Sequence, residues 1–479
     1  MIRLAGKRTP ERCVLRSMPQ STPGFALTPR VDSTIPVTIE TIGGGTMKKG
    51  LGRFAVLAAA VALAVPAVAQ AGNEVTKWNE IAVTTVNGQA PITSAPNAGA
   101  VFVAMVQGAV YGAVNAVDRH GKPYLINRSF PKASVDAAAA TAAFRVLDSL
   151  FSATHHTSLQ TAYDLLLGAI PDGKAKEQGK AVGNMAAAAM LAEGHDGRTV
   201  IGCTFGSGAA GEWMPLAGPG GLPLCDPSPW VAYAKPFVLN SPSQFRTAGP
   251  YELTSDEWTA DFNEVKSLGE VDSATRTADQ THAAAFWQTN PAANYNALAR
   301  RFVDQFSLGV SDSARLFAML DLSAADAIIN AWNDKYHYNF WRPNTAIRND
   351  DGNPATEADP TWTPLFNPLL PVATAGIGPP LNMPPYPEHP SGATTYASAS
   401  MHAFASFFGT DQMGMPFYLT SSRFPTDQRF FSRFSDVTNE ILEARIWAGI
   451  HFRNADVQAA KLGRKVERYI QTHLFASSQ

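Results

Sequence analysis

An all-α fold of helical-bundle type is predicted for this chain by three observations. Small and apolar residues recur at helical spacing, strand-like alternation is scarce, and Gly/Pro-rich stretches punctuate the periodic segments. Asn97 to Asp118 is rich in Ala, Gly and Val at helical spacing, which suits close helix–helix contact. Ser134 to Ile170 reads as two further helices, divided near Thr154-His-His-Thr157. Asp172 to Ala192 is Ala-rich and stops at Glu193-Gly194. From Ile201 to about Pro250 the pattern dissolves into Gly, Pro and aromatics, an ordered loop or a disulfide-held crossover. Helices resume at Ser255. Ser311 to Asp334 is the clearest, with Ser311 as its cap and Leu316, Phe317, Leu320 and Ala324 on one face. Arg348 to Pro390 is loop, and helices return over Ser391 to Phe408 and Ser435 to Thr472.

The first 46 residues carry scattered Arg and Pro without periodicity. Met47 then opens a basic stretch, an apolar run from Phe54 to Val65, and small-x-small sites at Ala67-Val-Ala69 and Ala69-Gln-Ala71. We read 1–46 as an upstream extension, 47–71 as a signal peptide, and the product as exported, periplasmic or secreted. The apolar run falls short of the roughly 20 residues a spanning helix needs. No later stretch reads as long and apolar enough to span a bilayer, which argues against an integral membrane anchor. The remainder divides into a 72–250 helical region holding the Gly/Pro-rich loop and a 251–479 helical region. With 45% hydrophobic and 16% charged residues the chain can bury a sizeable core. A net charge of −2 gives no reason to expect nucleic acid as a partner. In an oxidising compartment Cys203 and Cys225 read as a disulfide, since no further metal ligands sit nearby. Gly206-Ser-Gly208-Ala-Ala-Gly211 matches a dinucleotide fingerprint by letter only, because no strand precedes it and Pro215 follows.

Three segments carry the chemistry. Lys335-Tyr-His-Tyr-Asn-Phe-Trp-Arg342-Pro343 supplies two cations among aromatics, which argues against a solvated face. Pro343 disfavours helix at Arg342, so that arginine should stand where a helix ends. Pro390-Ser391-Gly392 supplies a helix start with free amides. Arg445-Ile-Trp-Ala-Gly-Ile-His451-Phe-Arg453 adds a third cation and an imidazole. Guanidinium forks, an ammonium and helix-start amides are what a tetrahedral oxyanion such as phosphate or vanadate requires.

On these segments the chain resembles the superfamily that unites vanadium-dependent haloperoxidases with type-2 phosphatidic acid phosphatases. Lys335 to Pro343 meets the first family motif. Pro390, Ser391 and Gly392 meet the second, but Ala393 stands where the family carries its acid–base histidine. Arg445 and His451 meet the third, with Ala444 in place of a serine and Asp456 one residue late. The resemblance implies that Lys335, Arg342, Ser391, Gly392 and Arg445 hold vanadate. It makes His451 the vanadium ligand, or the nucleophile of a phosphatase, and implies no haem. Asp456, Asp436 or Glu443 would orient the imidazole. His389, His402 and His337 are candidates to replace the missing acid–base group.

Three functions compete at this point. The first is an exported haloperoxidase using peroxide and halide. The second is a soluble phosphomonoesterase acting on a phosphate ester. The third is an oxyanion-binding protein that has lost turnover. The partners implied are small molecules, with self-association into a homo-oligomer left open.

Overall fold

A computed structural model describes residues 73–203, 205–217, 221–367 and 383–476. The extension, the signal segment and the export inference drawn from them lie outside the described residues. The first helices are α1 (Glu74–Asn87), α2 (Pro91–Ser94), α3 (Pro96–Asp118), α4 (Val135–Gly168) and α5 (Lys174–Ala192). After a 3-10 turn at Pro229–Tyr233 come α6 (Asp256–Leu268), α7 (Ala278–Phe286), α8 (Pro291–Gln305), α9 (Val310–Tyr338) and α10 (Pro343–Ala346). The C-terminal part holds α11 (Gly392–Phe408), the strands β1 (Gln412–Thr420) and β2 (Gln428–Arg433), α12 (Phe434–Trp447) and α13 (Arg453–Ile470).

Helix α9 is the axis, packed between α3 on one side and α11 on the other. Its polar residues at four-residue spacing form a ladder. The Asp326 carboxylate accepts the amides of Phe237, Val238 and Leu239 at 2.6–2.9 Å. Asn330 Oδ1 accepts the Phe245 amide at 3.0 Å, and Asp334 accepts Thr247 and Arg246. Positions four apart share a helix face, so the segment after the 3-10 turn runs along α9 with its backbone satisfied. This is how a stretch without periodicity stays ordered. The Cys203–Cys225 disulfide, with Cα atoms 5.6 Å apart, closes the loop ahead of it.

The structure corrects five expectations. Helix α4 is continuous through Thr154–Thr157, because that stretch is largely exposed and holds no Pro or Gly. Helix α9 begins at Val310 with Gly309 as its N-cap, and the Ser311 hydroxyl bonds to Asp118 instead of capping it. Residues 412–433 form an antiparallel hairpin whose paired Phe417 and Phe431 enter the core. Helix α3 is long and apolar enough to cross a membrane by length and composition, yet its apolar span is wholly buried in the protein. The predicted C-terminal helix is two helices, broken at residues 448–452. Gly449 has φ 72° there, and a Cβ would stand 2.5 Å from the Gly269 carbonyl oxygen.

Candidate active site

Three helix ends converge. Helix α9 closes at Asn339 in the left-handed region, and the chain continues extended through Arg342, as its following proline requires. Helix α11 starts at Gly392 with no side-chain cap on its first amides. The break between α12 and α13 presents His451, while Arg445 comes from the last turn of α12.

A cavity of about 320 Å³ opens where α11 begins, lined by Gly392, Ala393, Tyr396, Arg445 and His451. Its outer wall is largely apolar, with Trp287, Ile328, Trp332, Met383 and Tyr386 among prolines. Arg445 is buried, and its Nε has no hydrogen-bond partner among the described residues. Burial lowers the Arg445 pKa, and Asp456 opposes this. A buried guanidinium with an unpaired Nε, beside uncapped helix amides, suits an anion.

His451 is held by a residue the motif reading missed. Its Nδ1 stands 2.9 Å from Glu388 Oε1, which also accepts the Phe452 amide at 3.0 Å. That oxygen acts as an acceptor toward the amide, so the imidazole proton belongs on Nδ1 and Nε2 keeps its lone pair for the cavity. Burial, then Arg342, Lys335 and Arg445, push the His451 pKa well below 6.5, which keeps the ring neutral. Burial pushes Glu388 up to about 8, with Lys335 pulling it back. Asp456, proposed from the motif spacing, instead accepts the Thr394 hydroxyl behind the start of α11. Glu443 pairs with Arg453 on the far side, at 2.7 Å.

Lys335 and Arg342 stand behind the strand of chain that precedes α11. Lys335 Nζ donates to the carbonyls of Pro387, Glu388 and Pro390 at 3.0, 2.9 and 2.6 Å. Burial and Arg342 push its pKa well down, yet three acceptor carbonyls require three N–H bonds, which only the ammonium has. Arg342 donates to Tyr386 and Ile450 carbonyls at 2.8 Å, and burial lowers it to about 10, still cationic at neutral pH. Neither lines the cavity directly. The Ser391 amide is taken by the Ala455 carbonyl, and its hydroxyl approaches Thr394 at 3.3 Å. Ser391 thus shapes the helix start, while Gly392 provides the close approach: a Cβ there would meet Trp332 at 2.7 Å and Lys335 Cε at 3.8 Å.

None of the three histidines weighed against the alanine at 393 lines this cavity. His389 is buried against Thr247 and Tyr338, His402 bonds the Ser398 carbonyl on α11, and His337 is exposed. Among the described residues no three His, Cys, Asp or Glu side chains cluster as a cage for a metal cation. An oxyanion needs no such cage. One imidazole nitrogen, one guanidinium with a free Nε and helix-start amides fit vanadate or phosphate.

The fold, and the C-terminal helical bundle in particular, resemble those of the vanadium haloperoxidases. Residues 315–477 match the family model of the VCPO second helical-bundle domain. The vanadium chloroperoxidase of Curvularia inaequalis is 29% identical over 201 residues, 36% of this chain and 32% of that protein. The match thus spans about a third of the curated relative's length. A bacterial vanadium-dependent iodoperoxidase superposes with TM-score 0.64 at 21% identity, over 85% of this chain and 97% of its own. A holo-type bacterial vanadium-dependent chloroperoxidase gives 0.61 at 17%, over 84% and 98%. At such identities these two likenesses speak for the fold.

Proposed function

We propose that this chain is an exported haloperoxidase-like enzyme that holds vanadate at His451 and Arg445 and uses peroxide to oxidise a halide or related small molecule. The buried Arg445 guanidinium, its Nε without a partner among the described residues, beside the uncapped start of α11 carries this reading. A buried cation is retained without a protein partner where an anion is to complete it. Vanadate, when bound, supplies a Lewis-acidic centre that activates peroxide. His451 offers a neutral Nε2 in a fixed orientation, because Glu388 holds Nδ1. Gly392, Ala393 and Thr394 amides and the Arg445 fork face the negative charge. Lys335 and Arg342 add positive potential through the intervening chain and fix its path. The Cys203–Cys225 pair supports export, since disulfides persist in oxidising compartments.

Phosphate-ester hydrolysis is the second reading, favoured by the same neutral Nε2, which would serve as nucleophile. Paired assays separate the two. Protein prepared with and without orthovanadate is tested for peroxide-dependent bromide and iodide oxidation and for aryl phosphate hydrolysis. Vanadate-dependent halide oxidation is expected. Hydrolysis inhibited by vanadate, without halide oxidation, would establish the phosphatase instead.

A further inference from the structure

Asp226 is a buried carboxylate in the wall of the cavity, outside all three motif segments. Its Oδ2 accepts Trp332 Nε1–H at 2.8 Å and the Tyr336 hydroxyl at 2.9 Å. These two donors stand four residues apart on one face of α9. Its Oδ1 accepts the Ser228 amide at 2.9 Å. The carboxylate is anchored on both sides along the chain. Cys225 before it is tied to Cys203 by the disulfide. Ser228 after it donates its hydroxyl to Asn97 Oδ1 at 2.8 Å and accepts Asn97 Nδ2 on its carbonyl at 3.1 Å, at the start of α3. Asp226 is thus a fixed point for the edge of the Trp332 ring.

Trp332 is a contact between two of the motif segments. Lys335 Nζ, from its own helix, lies 5.5 Å from the ring centroid. The Tyr386 ring is 5.0 Å away, tilted by 56°. Gly392, the first residue of α11, comes so close that a Cβ there would stand 2.7 Å from the indole. Trp332, Tyr386 and Gly392 all line the cavity, so on that side the ring faces open space. The bond from its Nε1 to Asp226 keeps it from turning into that space.

We propose that Asp226 is a positioning residue for the oxyanion site, holding the Trp332 indole as the stop against which the first turn of α11 is seated. This rests on the proposed oxyanion site. Gly392 brings bare backbone against the ring, so the direction of the amides in that turn follows from where the ring stands. Polar partners one step removed from a ligand set orientation in this way, and their loss typically costs about 10- to 100-fold in affinity or activity.

Asp226→Leu removes the acceptor at similar volume and should weaken orthovanadate binding by about 10- to 100-fold in calorimetric titration. Added to Trp332→Phe, the same change should alter affinity by less than about threefold, because the two residues act through one path. Tyr336→Phe removes the other donor to the same oxygen and leaves the indole bond, so it should bind within about threefold of wild type. A readout independent of binding is the indole N–H resonance of Trp332, identified as the cross-peak lost in Trp332→Phe. It should move upfield in Asp226→Leu, with the remaining indole cross-peaks dispersed as in the wild type if the fold is kept. Should Asp226→Leu fail to fold, Asp226→Asn keeps the shape with a weaker, neutral acceptor, and the resonance should move partway. An unmoved Trp332 resonance, an Asp226→Leu affinity within threefold of wild type, or an equal further loss in the Trp332→Phe background overturns the proposal. A wild type that fails to bind orthovanadate defeats the oxyanion site itself, while the indole resonance still decides whether Asp226 holds the ring.

Discussion

Glu388 holds His451 by its Nδ1 at 2.9 Å, and the same carboxylate oxygen takes the Phe452 amide. The ring is therefore fixed in both tautomer and direction. Glu388→Gln keeps an acceptor in place and should leave vanadate affinity within about threefold. Glu388→Leu frees the ring and should weaken binding by about 10- to 100-fold. Calorimetric titration of both variants checks this.

Arg445 is a buried cation whose Nε has no partner among the described residues, and the proposed vanadate would supply one. Arg445→Met should leave the Tm of the free protein unchanged or higher, since an unpaired buried charge is removed. Saturating vanadate should raise the wild-type Tm, because a ligand at 100 times Kd stabilises by about 2.7 kcal/mol, and should leave the variant unmoved. Thermal melts with and without vanadate measure both effects.

Acid should destabilise the protein through His389. Burial lowers its pKa from 6.5 to about 3. The unfolded chain takes up a proton below 6.5 that the folded protein refuses, so this stability is complete above 6.5 and drains away as pH falls toward about 3. His389→Gln should flatten that limb of the Tm–pH curve. The raised Glu388 acts in the opposite sense, its contribution lost as pH rises from 4.5 through about 8.

The disulfide closes a loop with a sequence separation of 22. Replacing Cys203 and Cys225 by Ser should cost about 3 kcal/mol in denaturant unfolding. Non-reducing mass spectrometry of the wild type should find both thiols blocked.

Much of this fold was legible because long helices bury their faces periodically, and α3, α9 and α11 show that pattern. The cations and His451 were legible through motif spacing, and Arg342 stands where Pro343 dictates. Glu388 was not, for it meets His451 across 63 residues from a proline-rich stretch with no period to read. A carboxylate two residues before Pro390-Ser391 was the available signal. The β hairpin was hidden because Gly414 and Pro416 interrupt β1, although Phe417 and Leu419 alternate inward as a strand should. The separation between the cavity and the cations Lys335 and Arg342 depends on where the intervening chain folds, which no local pattern encodes.

Calorimetric titration of orthovanadate into the full chain tests the central claim most directly. One site per chain is predicted, competed by phosphate and weakened at least tenfold by His451→Ala, since that variant removes the proposed direct ligand. A wild type that gives no binding, or an affinity untouched by His451→Ala, would contradict the oxyanion site.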